Sequence, residues 1–289
     1  MEASILSKVV LPIALFIVML GMGLSLTPKD FKYVSKSPKS LSIGLVCQLI
    51  LLPIVGFFLA HIFQLSPILS VGLLILCLCP GGVTSNMFCY LAKGNVALSI
   101  TLTAVVSLVT PFTIPIVADM GMNYFLSSSQ AIELPLVKTI VTLLVITVLP
   151  VAIGMFIRTK NPSFANKLDS PVKILSMVFL LLIVAGIVKQ NWEELPNIFA
   201  KAGSVALILN GGMMLVSYMI PKLLGVDQKD AISIGVEAGI QNGTTSLFIT
   251  STLLDDPVMS IPAASYSLIM FVTGSLYAFY WQKRAKVQA

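Results

Sequence analysis

The chain has 289 residues, 57% of them apolar and only 10% charged, against roughly 25% charged in an ordinary globular domain. A mean hydropathy of +0.97 excludes a disordered chain and an ordinary soluble core, because apolar residues this abundant need an apolar solvent. A net charge of +6 does not mark a nucleic-acid-binding face, since the basic residues stand in short gaps between long apolar runs; the composition is that of an all-α polytopic protein of a lipid bilayer.

Crossing roughly 30 Å of hydrocarbon takes about 17 to 25 helical residues. Runs of that length occur at 9–27, 41–63, 68–92, 96–118 and 134–157, then at 172–188, 201–223, 231–254 and 259–281, so nine spans are expected. Lys8 precedes the first run, but no small-residue cleavage site separates it from Pro28 and the lysines beyond, and it is read as a retained span rather than a signal peptide. Assigning alternate gaps to the two sides puts fourteen of the eighteen basic residues, from Lys29, Lys32, Lys36 and Lys39 to Lys283, Arg284 and Lys286, on one side. Only Lys8, Lys138, Lys189 and Lys201 fall on the other. The positive-inside rule then sets the amino terminus outside and the carboxyl terminus in the cytoplasm, with the cell's inner membrane as the expected location. Glu2, Asp119, Glu133, Glu193, Glu194, Asp255 and Asp256 collect on the outer side. Cys47, Cys77, Cys79 and Cys89 lie within apolar runs and read as packing residues, and the lone His61 has no neighbouring ligand with which to hold a metal.

Eleven of the twelve acids fall in loops or tails; the twelfth, Glu237, sits within the eighth run. An acid at membrane depth is costly unless it is paired, protonated or facing water, and is a functional-site candidate by default. All eighteen bases are in the gaps, so a bound cation is the natural partner. Around it runs Gly235-Val236-Glu237-Ala238-Gly239-Ile240-Gln241-Asn242-Gly243-Thr244-Thr245-Ser246, and the third run carries Pro80-Gly81-Gly82-Val83-Thr84-Ser85-Asn86 in its middle. Proline and paired glycines interrupt the backbone ladder, and irregular backbone at membrane depth survives only where it is buried in protein or lines a cavity. Both runs are therefore expected to be discontinuous helices. Glycines at 235, 239 and 243 also fit a small-residue helix-packing face, which remains an alternative for the eighth run.

At a shift of 161 residues Gly82, Thr84, Ser85, Ser99 and Ile100 fall on Gly243, Thr245, Ser246, Ser260 and Ile261, which maps the third span onto the eighth with opposite orientation. Inverted repeats with paired broken helices mark the binding site of many secondary transporters. The expected halves are residues 1–120, with four spans and an opening helix absent, and 121–289, with five. The Glu-Ala-Gly-Ile-Gln-Asn core of 237–242, the 80–86 motif, and Gly94-Asn95-Val96-Ala97-Leu98-Ser99 together resemble the bile acid:sodium symporter family over nearly the whole chain. The resemblance implies two inverted repeats divided into a core domain, here 41–118 and 201–281, and a panel domain, here 9–27 and 134–188, with two crossed discontinuous helices.

It also implies two Na⁺ sites: one from Ser85, Asn86, Ser99, Thr103 and Glu237, the other from Gln48, Glu237 and Gln241 with the backbone carbonyls of Ala238 and Ile240. Oxygen-rich breaks without thiolate or imidazole suit this hard cation. The second halves of the broken helices start near Val83 to Asn86 and Asn242 to Ser246, and helix amino termini favour anions. An organic anion held by Thr84, Asn242, Gly243 and Thr244 is therefore expected. Family members use polar residues of the last span for substrate, whereas Phe271-Val272-Thr273-Gly274 offers no clear amide. Small acids such as pantothenate, pantoate or pyruvate are preferred on that ground over bile-acid-like steroid conjugates.

Competing classes have less support. An enzyme would need a nucleophile-base pair, paired intramembrane acids or a zinc motif, none of which occurs. A channel or helix bundle would move solute without an ion gradient. Cys79-Pro80 invites comparison with sodium-independent carriers of related fold, such as those for arsenite or metabolites, but the serine, asparagine and glutamate set points to sodium.

Overall fold

The computed structural model describes residues 6–30, 37–126, 135–190 and 195–287, and within them every regular element is helical. The helices are α1 (Leu11–Leu24, preceded by a π turn Leu6–Val10), α2 (Pro38–Ile62), α3 (Pro67–Leu78), α4 (Val83–Leu91), α5 (Val96–Phe125), α6 (Leu136–Lys160) and α7 (Pro162–Gln190). They continue with α8 (Leu195–Leu223), α9 (Gln228–Gly239), α10 (Gly243–Phe248, running into a π turn Ile249–Leu253) and α11 (Ile261–Val287). Of the loop charges named above, Glu2, Lys32, Lys36, Glu133, Glu193 and Glu194 lie outside the described residues.

Among the described residues five helices, α2, α5, α6, α8 from Lys201 and α11, are long and apolar enough to cross a membrane, and α3 with α4 forms a sixth unit bent by 66°. All nine expected runs fall on helices. The seventh helix begins at Pro162, not near 172, and α5 continues to Phe125, because hydropathy marks the stretch that lipid would cover while the backbone ladder runs on to a cap. For α7 that cap is Asn161, whose Oδ1 accepts from the Phe164 N–H at 3.0 Å.

Proline shapes three of these helices from within. The π turns Leu6–Val10, Cys47–Leu51 and Leu144–Val148 each end two residues before a proline, at 12, 53 and 150. A proline ring crowds the carbonyl four residues back and offers it no N–H, and one wider turn absorbs the misfit. In α2 this leaves the Leu52 N–H bonded to Cys47 O and puts Gln48 inside the bulge.

Two packed groups result. Helices α1, α6 and α7 contact one another, and the α1–α6 crossing is close because a Cβ at Gly23 would strike Val151 O and one at Gly154 would strike the backbone of Leu20 and Leu24. Helices α2 to α5 and α8 to α11 form the other group around α9, which touches α2, α4, α5, α8 and α11 and is buried on every side from Asp230 to Gly239. This explains why the eighth run tolerates polar residues: it meets protein, not lipid. The alternative of a glycine packing face is also realised in part, since a Cβ at Gly235 or Gly239 would collide with Met214 of α8.

Candidate functional site

Both expected breaks are present, and they touch. The chain leaves α3 extended at Cys79 and restarts at Val83; it leaves α9 extended at Ile240 (φ −105°, ψ 106°) and restarts at Gly243. The Asn242 N–H donates to Pro80 O at 2.8 Å, so the two interruptions are hydrogen-bonded where the helices cross. Ser85 closes the start of α4, its Oγ accepting from the Gly82 N–H at 3.2 Å, and Asn242 Oδ1 caps α10 by accepting from the Thr245 N–H at 3.1 Å.

Glu237 lies against the first of these breaks and is 1% exposed. Its Oε1 accepts from Ser99 Oγ at 2.5 Å and its Oε2 from Thr103 Oγ1 at 2.7 Å, these two hydroxyls being one turn apart on α5. Ser99 Oγ also lies 2.9 Å from Asn86 Oδ1, and Ser85 Oγ is 3.5 Å from Thr103 Oγ1. All five residues expected at one cation site, Ser85, Asn86, Ser99, Thr103 and Glu237, thus come together. Gly81 belongs with them and was missed as a site residue: a Cβ there would sit 2.7 Å from Glu237 Oε2, 2.9 Å from Ser85 Oγ and 3.4 Å from Thr103 Oγ1. Three oxygens therefore converge on a space kept open by the missing side chain. The signal was in the Pro-Gly-Gly motif, read only as a helix breaker.

Of the other expected set, Glu237, Ala238, Ile240 and Gln241 lie on or just beyond the same carboxylate-bearing helix, and Gln48 lies on a turn packed against it. Gln48 is 1% exposed, on the π turn that packs against α9, and neither Oε1 nor Nε2 has a hydrogen-bond partner. Gln241 Nε2 donates to the carbonyls of Glu237 (3.1 Å) and Ala238 (3.0 Å), while its Oε1 is unpartnered. Buried amide oxygens without partners are costly, and a cation would satisfy the Oε1 atoms of both glutamines. The Ile240 N–H makes the last helical bond, to Val236 O at 2.8 Å, and among the described residues no donor reaches Ile240 O.

The set expected to hold an anion lines a cavity of about 90 Å³ between the two helix groups. Thr84, Gln241, Asn242, Gly243 and Thr244 form its polar end; Val18 of α1, Leu180 of α7, and Met270 and Phe271 of α11 form apolar walls, and none of its lining residues is charged. Thr273, which follows Phe271 in the last span, faces elsewhere: its hydroxyl donates to Asn210 Oδ1 on α8. Asn210 was not anticipated, although an amide before Gly211-Gly212 in an apolar run is a visible signal.

The four cysteines are buried and free, and the Cys79 thiol is tied to Ile75 O at 3.2 Å, away from the Pro80 carbonyl that receives Asn242. Among the described residues no three His, Cys, Asp or Glu side chains gather as a transition-metal site.

A polytopic helical protein in which two interrupted helices cross beside a deeply buried carboxylate has the build of an ion-coupled secondary transporter. The chain belongs to the Sodium Bile acid symporter family, whose model matches residues 12–198. The uncharacterized sodium-dependent transporter YocS of Bacillus subtilis (strain 168) is 30% identical over 274 residues, 95% of this chain and 83% of YocS. The probable chloroplastic sodium/metabolite cotransporter BASS1 of Arabidopsis thaliana is 27% identical over 96% of this chain and 67% of its own. For the human ileal sodium/bile acid cotransporter the figures are 29%, 83% and 68%. The protein is thus an integral membrane, sodium-coupled transporter and not an enzyme.

Proposed function

We propose that this transporter carries an organic anion inward together with two Na⁺ ions, by alternating access between a panel of α1, α6 and α7 and a core formed by the remaining helices. It would lie in the cell's inner membrane with the amino terminus outside. One observation above all supports the ion sites: Glu237 is buried among the hydroxyl oxygens of Ser85, Ser99 and Thr103, and the buried side-chain oxygens of Gln48, on the turn packed against α9, and of Gln241, four residues on from Glu237, have no hydrogen-bond partner. A hydroxyl that donates its proton to the carboxylate still has lone pairs free for a cation. Glu237 would then serve both ions, and the partial charge on each would be met by neutral oxygen.

Thr84, Asn242, Gly243 and Thr244 would receive the anion at the starts of α4 and α10, where backbone N–H groups and helix dipoles favour negative charge. The apolar walls fit the rest of the molecule, so a monocarboxylate with an apolar portion suits the cavity, and one that needs no polar contact from the last span is preferred. The relatives' names give the two arms of the test, metabolites and bile acids. Purified protein is heated with each of a panel of organic acids, from pyruvate, pantoate and pantothenate to steroid conjugates, with Na⁺ or with K⁺. A true substrate raises the melting temperature by mass action, and by more in Na⁺. Stabilisation equal in both salts for every acid would refute the coupling.

A further inference from the structure

The carbonyls released at the break of α9 are not equivalent. An unbroken helix would bond the carbonyls of residues 237 to 240 to the N–H groups of 241 to 244. Here the Asn242 N–H goes to Pro80 O and the Gly243 N–H to Gln241 O, so these acceptors need other partners. Among the described residues Glu237 O and Ala238 O are held by the side-chain amide of Gln241 alone.

Gly239 O is held differently, by two donors from two other helices: Asn210 Nδ2 of α8 at 2.6 Å and the Tyr266 hydroxyl of α11 at 2.7 Å. Both side chains are fully buried. The Asn210 amide is itself oriented, because its Oδ1 accepts from the Thr273 hydroxyl, leaving Nδ2 for the glycine carbonyl. Tyr266 and Thr273 are seven residues, two turns, apart on one face of α11. Gly239 itself allows the approach, since a Cβ would run into Met214 beside Asn210.

We propose that Asn210 and Tyr266, with Thr273 behind them, are positioning residues for the second sodium site. By clamping the Gly239 carbonyl toward α8 and α11 they fix the peptide planes on either side of it, and so hold for the ion the carbonyls of its two neighbours, Ala238 in the last turn of α9 and Ile240 in the extended backbone just beyond. This rests on the two-sodium reading above. It also accounts for the absence of an amide in the last span: that span's polar residues brace the cation site from behind, and the amide comes from α8.

Tyr266→Phe removes one hydroxyl and keeps the ring, so it tests the clamp with least risk to folding; Asn210→Leu removes the second donor. Losing a partner that orients a metal ligand typically costs about 10- to 100-fold in affinity. In sodium titrations by calorimetry, Tyr266→Phe should weaken one of two sodium-binding events about tenfold and leave the other within about twofold. Sodium dependence of uptake should become less sigmoidal. In a Gln241→Ala background, where the second site is already lost, Tyr266→Phe should have no further effect on sodium affinity. Lower stability without sodium, with both sodium affinities at wild-type values, would make the clamp merely structural and overturn the proposal. A wild-type protein that binds a single Na⁺ would overturn the two-site reading itself, and the proposal with it, a result recognisable before any variant is made.

Discussion

Replacing Glu237 with Gln separates charge from shape at the crossing of the broken helices. The carboxylate is 1% exposed and its two oxygens are held by Ser99 and Thr103 at 2.5 and 2.7 Å. Gln keeps the size and one acceptor oxygen but removes the one anionic ligand available to either ion. A pair of unit charges at about 4 Å is worth about 4 kcal/mol at an effective dielectric near 20. At about 1.4 kcal/mol per decade that is close to three decades of sodium affinity, and the easier burial of a neutral amide does not restore it, because that gain belongs to the ion-free state. The variant should fold: Ser99 can still donate to the amide oxygen, and Thr103 Oγ1 can accept from the new NH₂. The assay is the rise in melting temperature with Na⁺, alongside sodium-stimulated uptake. With Na⁺ at 100 times its Kd, one site adds about 2.7 kcal/mol, and Glu237→Gln should lose nearly all of that at the same concentration while its stability without sodium equals or exceeds wild type. Wild-type sodium stabilisation and uptake in a well-folded Glu237→Gln protein would falsify the cation-site reading and leave Glu237 a hydrogen-bonded structural acid.

Asn242→Leu removes both a cavity wall and the cap that Oδ1 provides to α10; stability should fall by about 1 kcal/mol, and calorimetry should show substrate binding weakened more than sodium binding, whereas loss of sodium alone would move Asn242 into the cation site. Two Na⁺ with a monovalent anion carry one net positive charge, worth about 2.3 kcal/mol per 100 mV, so uptake into vesicles should accelerate as the interior is made negative, and uptake indifferent to imposed potential would rule out this stoichiometry. In intact cells a cysteine at position 201 should react with an impermeant thiol reagent and one at position 36 should not; the reverse pattern would invert the topology drawn from the lysine bias. Gly154→Ala drives a methyl into the backbone of Leu20 and Leu24 and should cost about 1 to 3 kcal/mol in thermal unfolding, with unchanged stability showing that α1 can slide off α6 freely.

Much of this protein was legible in the chain alone. Hydropathy located the five membrane-length helices and the bent α3–α4 pair found among the described residues, because crossing hydrocarbon demands a long apolar run whatever the neighbours are. Pro80-Gly81-Gly82 and the glycines around Glu237 announced the breaks for the same local reason, that these residues cannot sustain an ordinary backbone ladder. The cost of a carboxylate at membrane depth singled out Glu237 without any knowledge of its partners. Which polar residues meet it was a different matter. Ser99, Thr103 and Gln48 are polar residues in apolar helices, and each alone fits an internal hydrogen bond to its own backbone, as Thr101 and Ser107 in fact make to the carbonyls four residues back; their convergence was expected from family resemblance, not from spacing. Helix ends were set by caps and prolines more than by hydropathy, as the early start of α7 at Pro162 shows. Only the tertiary structure decided that Pro80 O receives the Asn242 N–H, that a π turn before Pro53 carries Gln48 to α9, that the missing Cβ of Gly81 keeps open a space among three oxygens, and that Asn210 and Tyr266 grip the Gly239 carbonyl. Those contacts join residues tens to more than a hundred positions apart, and pairing at such separation is settled by how helices pack in three dimensions, on which a local pattern of residue types carries no information.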